Sequence, residues 1–154
     1  MTGAGAVRVF RSTEHPGGAS PALVYGRALV RPIGACMLPV MIGALLAVLE
    51  GAAALPWLVA GFPAALVTAM LWTHLRLRTT PAEVQVVPGG AALRSVWECA
   101  RDLPARTARI LDLRTTPDAL LVTLDYTSYA LPYRAWPDHE ALLSALQEAR
   151  RASP

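Results

Sequence analysis

The constraint that governs everything else in this chain is a shortage of charge. Between Arg31 and His74 there is one formal charge, Glu50, which separates PIGACMLPVMIGALLAVL (32–49) from GAAALPWLVAGFPAALVTAMLWT (51–73). As helices rising about 1.5 Å per residue these segments would be roughly 27 and 34 Å long, against a hydrocarbon core of about 30 Å. The first holds eight residues of Leu, Ile, Val or Phe and the second seven. At about −0.3 to −0.6 kcal/mol each, neither gains more than a few kcal/mol on insertion, so a helical hairpin inserting as a pair is the stable arrangement. A soluble hairpin would leave only the 81 residues from 74 to 154 to cover both helices. The whole chain is 54% hydrophobic and 16% charged, where soluble domains carry about a quarter charged residues. A cleavable signal peptide ending at Ala52–Ala54 fits worse, because the leader is long and a second apolar segment follows at once.

The expected organisation is therefore a leader over 1–31, a first span over 32–49, a short loop over 50–55, a second span over 56–73 and a domain over 74–154. All 14 cations are arginine. Arg27 and Arg31 precede the first span, Arg76 and Arg78 follow the second, and the loop around Glu50 has none, so the positive-inside rule puts both termini in the cytoplasm. Trp72 then falls at the inner interface and Trp57 near the outer one. Gly43, Ala47 and Gly51, and Gly61 with Ala65, repeat at a spacing that lets helix backbones approach closely in lipid. Packing of the two spans on each other explains the repeat, and homo-oligomerisation through the same faces is the alternative. Pro39, Pro56 and Pro63 are expected to kink or end helices. No Asp, Lys or Arg lies deep in either span, which argues against a transporter.

After the second span the pattern changes from unbroken apolarity to alternation. LRTTPA at 77–82 returns as LRTTPD at 113–118. Leu75 and Leu77 alternate with Arg76 and Arg78, Val84 and Val86 resume the alternation beyond Pro81, and Leu111, Leu113, Leu120, Val122 and Leu124 repeat it around the second copy. Each hexapeptide thus reads as a strand end plus a Thr-Pro turn, and identity beyond them is too slight for a duplication. PGG at 88–90 and DYTS at 125–128 are further turns, Leu93–Trp97 a further strand, and Tyr129–Leu131 the last. WPDHEALLSALQEARR (136–151) is an amphipathic helix: Pro137 suits its first position, Asp138 and Glu140 its positive end, Arg150 and Arg151 the other. Leu142, Leu146 and Ala149 make its apolar stripe. The fold class expected is a membrane helical hairpin plus an α+β module, a small bent antiparallel sheet closed by a C-terminal helix. In the leader, AVRVFRS (6–12) alternates like a strand and is free to pair with that sheet, whereas ALVYGRALVRP (22–32) suits the inner leaflet, with Arg27 and Arg31 near phosphates.

Two short spans, a strand-rich segment with Trp97 at a strand end, the run Leu131, Pro132, Arg134, Ala135 and Trp136, and an acidic amphipathic helix together resemble the YcxB-like bacterial membrane proteins. The resemblance covers roughly residues 30–150, with a longer segment at 98–110 and DYTS in place of a glycine turn. It implies a PH-like (pleckstrin-homology-like) C-terminal domain and a place in the bacterial cytoplasmic (inner) membrane, and it implies no activity. In that pattern Trp97 and Trp136 are packing residues, and Pro132 and Arg134 fix the corner between the last strand and the helix.

Several functions find no support in the residues. Cys36 and Cys99 belong to different parts of the chain and read as reduced thiols. His15, His74 and His139 have no partner at metal-ligand spacing, so neither a metal nor another cofactor is expected. Asp112, Asp118 and Asp125 read as solvated turn acids. No catalytic fingerprint is present, and the 10 arginines against nine acids from His74 onward make no surface for nucleic acid. What remains is a non-enzymatic module at the lipid bilayer that docks a protein partner, or one that senses anionic headgroups through Arg27, Arg31, Arg76 and Arg78, each worth about 1 kcal/mol near an anionic leaflet.

Overall fold

A computed structural model describes residues 7–152. The chain forms two compact units, Met1–Ala19 together with Arg78–Pro154, and Ser20–Leu77.

The Ser20–Leu77 unit is a pair of helices, α1 (Pro21–Leu49) and α2 (Leu55–Thr79), which continues two residues past it. Ser20 caps α1 by accepting the amide of Leu23 at 3.4 Å, and Pro21 occupies the first turn, where its missing N–H costs nothing. The other end closes in a Schellman turn. Gly51, with φ of 74°, lets the Ala52 amide reach the Ala47 carbonyl at 2.7 Å while its own amide reaches Val48 at 3.1 Å. Pro39 and Pro63 sit inside the helices and end neither, and Pro56 lies in the first turn of α2. Both helices are long and apolar enough to cross a membrane. Segment 22–31 is part of α1 itself, so Arg27 and Arg31 ride on the same helix as the first apolar run.

Close approach explains the small residues. A Cβ on Gly43 would lie 2.6 Å from the Trp57 ring, and one on Gly61 would lie 2.7 Å from Val40. Tyr25 donates its hydroxyl to the Met70 carbonyl at 2.9 Å across the same pair of helices. The glycines therefore serve contacts within the hairpin.

In the other unit β1 (Arg8–Arg11) comes from the leader, and Ala6, first residue of the expected strand, lies outside the described residues. It pairs antiparallel with β2 (Pro81–Val87), setting Arg8 opposite Val86 and Arg11 opposite Glu83. β3 (Gly90–Ser95) follows across the Pro88–Gly89 turn, then a short helix α3 (Val96–Ala100), β4 (Thr107–Ala108), β5 (Ile110–Thr115), β6 (Ala119–Leu124) and β7 (Thr127–Pro132). A 3-10 turn at Tyr133–Ala135 leads into α4 (His139–Arg151). Instead of one bent sheet there are two, both antiparallel, ordered β1-β2-β3-β4 and β5-β6-β7. Their inward side chains, among them Val84, Val86, Leu120, Val122 and Leu131, enclose Trp136 and are covered by Leu142, Ala145, Leu146 and Ala149 of α4. Those four lie at i, i+3, i+4 and i+7, the single stripe a helix can bury.

Four expectations need correction. Residues 75–78 are helix, not strand: Leu77 continues the buried row Ala65, Ala69, Thr73 at four-residue spacing, and extending an existing helix costs less than starting a strand. The two hexapeptides are therefore not one turn. Leu77–Thr79 ends α2, whereas Leu113–Thr115 ends β5 and Thr116 closes the turn onto the Ala119 carbonyl through its amide at 2.9 Å and its hydroxyl at 2.8 Å. Context overrides a shared local sequence. Trp97 lies not in a strand but in α3, and Pro137 precedes α4, which starts at His139.

Replacing Gly43 with Ile should cost the hairpin about 1–3 kcal/mol by overpacking against Trp57. Gly34→Ile, at a position where nothing lies within 4 Å of the added carbon, is the matched control. Unfolding of the purified protein in detergent is the readout, and equal stability of the two variants would refute the contact.

Candidate functional site

Polar groups gather in two places in the sheet domain. The first is a row of charge across three strands. Alternation along β2 sends Val84 and Val86 into the core and Glu83 to the opposite face, where the register places Arg11 of β1 on one side and Arg94 of β3 on the other. Arg11 Nε donates to the carboxylate at 3.3 Å, Arg94 Nη1 at 3.3 Å and Gln85 Nε2 at 2.9 Å. His15, from the loop after β1, brings Nε2 to 3.4 Å. The Glu83 side chain is only 4% exposed. Burial alone would push its carboxyl up, but the bonds from Gln85 and Arg11, the charge of Arg94 and the nearby His15 ring outweigh it, so Glu83 sits below its ordinary value and is ionised. Arg94 reaches on to Asp102 at 3.2 Å and to the Glu98 carbonyl at 3.4 Å.

Cys99 lies beside this row, and the ligand atoms of His15, Glu83 and Cys99 fall within 4.8 Å of one another, a grouping that scattered sequence positions do not announce. The chemistry of the set does not suit a cation. Gly17 donates its amide to His15 Nδ1 at 3.1 Å, which leaves the ring proton on Nε2, aimed at Glu83. Two guanidiniums already hold the carboxylate. Burial pushes the Cys99 thiol up to about 11, beyond what nearby Arg94 can offset, so it is protonated at neutral pH. The cluster is an anchor for the leader, with no poised base or nucleophile.

The second place is a groove of about 880 Å³, within the range of ligand pockets, roughly 300–1,000 Å³. It is made by an interruption. Ser95 and Glu98 form a capping box, each side chain bonding the other's backbone amide, at 3.3 and 2.8 Å, which starts α3 and turns the chain away after β3. S-V-W-E at 95–98 is the sequence signature of that box and the signal that would have found α3. β4 consequently pairs only with Ala91 and Ala92, and Leu93 and Ser95 are left facing the gap with Leu103, Pro104 and Arg106. The opposite wall is the β6–β7 turn and the start of β7, Tyr126–Tyr129, with Tyr126 fully exposed. Asp125, at φ of 50°, tightens that turn, and its carboxylate accepts the Arg109 amide at 3.0 Å. Arg78, in the last turn of α2, also lines the groove.

Of the four arginines proposed for headgroups and the four residues of the family pattern, Arg78 alone lines the groove, and the expected turn acid Asp125 lines it too. Arg27 and Arg31 are exposed on one face of α1, and Arg76 is exposed on α2. Trp97 is half-buried with the Arg101 guanidinium 5.9 Å above its ring. Pro132 and Arg134 are exposed at the corner between β7 and α4, and Trp136 is core at 2% exposure. Asp112 lies within β5 and not in a turn, where it pairs with Arg114 and accepts the Leu113 amide. Compared with known proteins, the chain matches no family model, no curated protein and no solved structure.

Glu83→Gln should lower stability at pH 7 by about 3 kcal/mol, the cost of stripping a buried cation of its partner. Because the Glu83 carboxyl is depressed from 4.5, its contribution is complete above that value and fades as pH falls through the folded-state value. The difference between wild type and variant should therefore shrink below about pH 4.5, and a constant difference in acid unfolding would remove Glu83 from the account. In a Cys36→Ser background, alkylation of Cys99 should run about 100-fold slower than that of an ordinary thiol, following the rise from 9.0 to about 11. Iodoacetamide kinetics give the number.

Proposed function

We propose that this chain is a membrane-anchored, non-enzymatic interaction protein, whose helical hairpin spans the bacterial cytoplasmic membrane and whose PH-like domain docks a protein partner at the cytoplasmic face. The groove beside β7 is the observation that carries docking: it joins an apolar wall, several hydroxyls and a fully exposed tyrosine on a domain whose buried ionisable groups are locked in an anchor. The anchor half of the reading rests on topology. β1 and β2 are adjacent strands, and the hairpin is the connection between them, so the leader and the domain lie on one side of any membrane it crosses. The flanking arginines Arg27, Arg31, Arg76 and Arg78 make that side the cytoplasm. Two small antiparallel sheets followed by a C-terminal helix accord with the PH-like fold that the YcxB-like resemblance implies.

One observation favours a second reading, the sensing of anionic headgroups. α2 runs unbroken to Thr79, which carries Arg78 about 7–8 Å beyond Thr73, within the depth of a headgroup layer. A self-associated form through the helices has less behind it, since Gly43 and Gly61 are spent inside the hairpin.

A photo-crosslinking residue at position 126 of the full chain, in native membranes, separates these readings. Discrete adducts to another protein, absent when the residue is moved to exposed position 140, are expected. Adducts to lipid alone, with salt-sensitive preference of the protein for anionic over neutral vesicles that is lost in Arg76→Gln/Arg78→Gln, would replace docking by headgroup sensing. No adduct of either kind would overturn both.

A further inference from the structure

Sheet edges invite additional strands, and natural sheets guard them with charge, bulges or shortness. Among the described residues three of the four sheet edges are guarded. β1 carries Arg8 and Arg11, and Arg8 is tied to Glu148 at 3.0 Å. β4 is two residues long. β5 carries Asp112 and Arg114 and slips register between Ile110 and Asp112. β7, TSYALP, is different: six residues, no charge, unbroken register with β6, and a proline only at its far end.

The register identifies which groups are open. A two-residue turn makes Leu124 and Thr127 a hydrogen-bonded pair, so Val122–Tyr129 and Leu120–Leu131 are the next such pairs, and Ser128 and Ala130 direct their N–H and C=O away from β6. The Thr123 and Ser128 hydroxyls, 2.9 Å apart, fit the closer spacing of a pair without main-chain bonds. Among the described residues no main-chain hydrogen bond reaches Ser128 or Ala130 from the outer side. Both side chains are small and exposed, and neither shields the edge. Thr127, Ser128 and Tyr129 form one wall of the groove.

We infer that β7 is a strand-addition site and that its occupant is an uncharged, extended peptide segment of a partner protein, laid along Ser128–Ala130 with alternate side chains in the groove. This rests on the docking reading above and names the partner's chemistry. The groove balances Arg78 and Arg106 against Glu98 and Asp125, so it selects neither an acidic nor a basic segment. Leu93, Leu103 and Tyr129 supply apolar wall for the inward side chains. A second copy of the chain fits poorly, because its edge would arrive with a whole sheet attached, and the groove is walled opposite β7 by Leu93 and the 103–106 segment.

The test uses the full chain in nanodiscs, first selecting binders from a random linear peptide library, then measuring the synthetic peptides. Strand addition expects affinity to fall roughly tenfold when alternate peptide amides are N-methylated and to hold when the intervening ones are. Ala130→Pro removes an outward N–H without touching the β6 ladder, and it should abolish binding while the thermal midpoint stays close to wild type. Ala130→Lys, a charge guard with the backbone intact, should do the same and covers the case in which the proline variant misfolds. Binding insensitive to which amides are methylated would overturn strand addition, yet leave docking standing wherever the adducts at position 126 persist. Failure to enrich any peptide over Ala130→Lys would overturn the site. Dimerisation lost in Ala130→Lys would replace the peptide by a second copy.

Discussion

The structure depends on the pairing of a short leader strand with the strand that follows the hairpin. β1 and β2 are neighbours in one sheet, although the entire apolar segment lies between them in sequence. Closing a connection of that length costs little more than closing a shorter one, since the entropy grows only with the logarithm of length. The pairing must nevertheless be specified, because four residues of β1 hold little apolar area. The carboxylate of Glu83 supplies that specification. Placed between Arg11 and Arg94 by the registers of both neighbours, it is satisfied only in this alignment. A slip of one residue would turn Glu83 into the core and Val84 out of it.

A buried ion row of this kind is weak evidence for stability, since similar packing by apolar side chains often does as well. Its value here is in fixing direction. Arg94 holds Glu83 with one nitrogen and Asp102 with another, so the row runs into the loop after α3, while the capping box of Ser95 and Glu98 bends the chain at the end of β3. That bend shortens β4, and the short β4 is why a gap persists beside β7. The node that fastens the leader and the groove beside β7 are thus two consequences of how β3 ends.

Much of this was legible in the sequence. The nearly charge-free stretch holds most of both long helices, PGG and DYTS mark turns, the latter confined to Asp125 and Tyr126, and the Leu142–Ala149 stripe faces the core as its spacing demands. Trp136 is core, as a large aromatic before a helix should be. What was not legible depended on context beyond a few residues. Four alternating residues at 75–78 satisfy a strand and the end of a helix equally, and only the row of Ala65, Ala69 and Thr73 decides between them. One bent sheet and two separate sheets look alike in the sequence, and the division follows from the two-residue β4. The association of His15 with Glu83 and Cys99 joins positions far apart in sequence, with no spacing to betray it. The groove is made by strands ending early, a property of pairing that no single residue type encodes.

Unequal guarding of the edges then has a physical sense on the reading proposed above. Ser128 and Ala130 offer two donors and two acceptors, and hydrogen bonds exchanged with water are each worth only about 1 kcal/mol net. Such an edge binds weakly in free solution. Tethering changes the arithmetic, because a partner held in or at the same membrane meets the edge at an effective concentration set by geometry rather than by its abundance. A modest edge on a firmly fixed domain is then sufficient, and a stronger one would invite the indiscriminate strand pairing that Arg8, Arg11 and the bulge at Ile110–Asp112 guard against at the other edges. The rigid row through Glu83 and the open edge of β7 are complementary: the first keeps the leader strand from being displaced, so that a strand arriving from outside finds β7 and not β2.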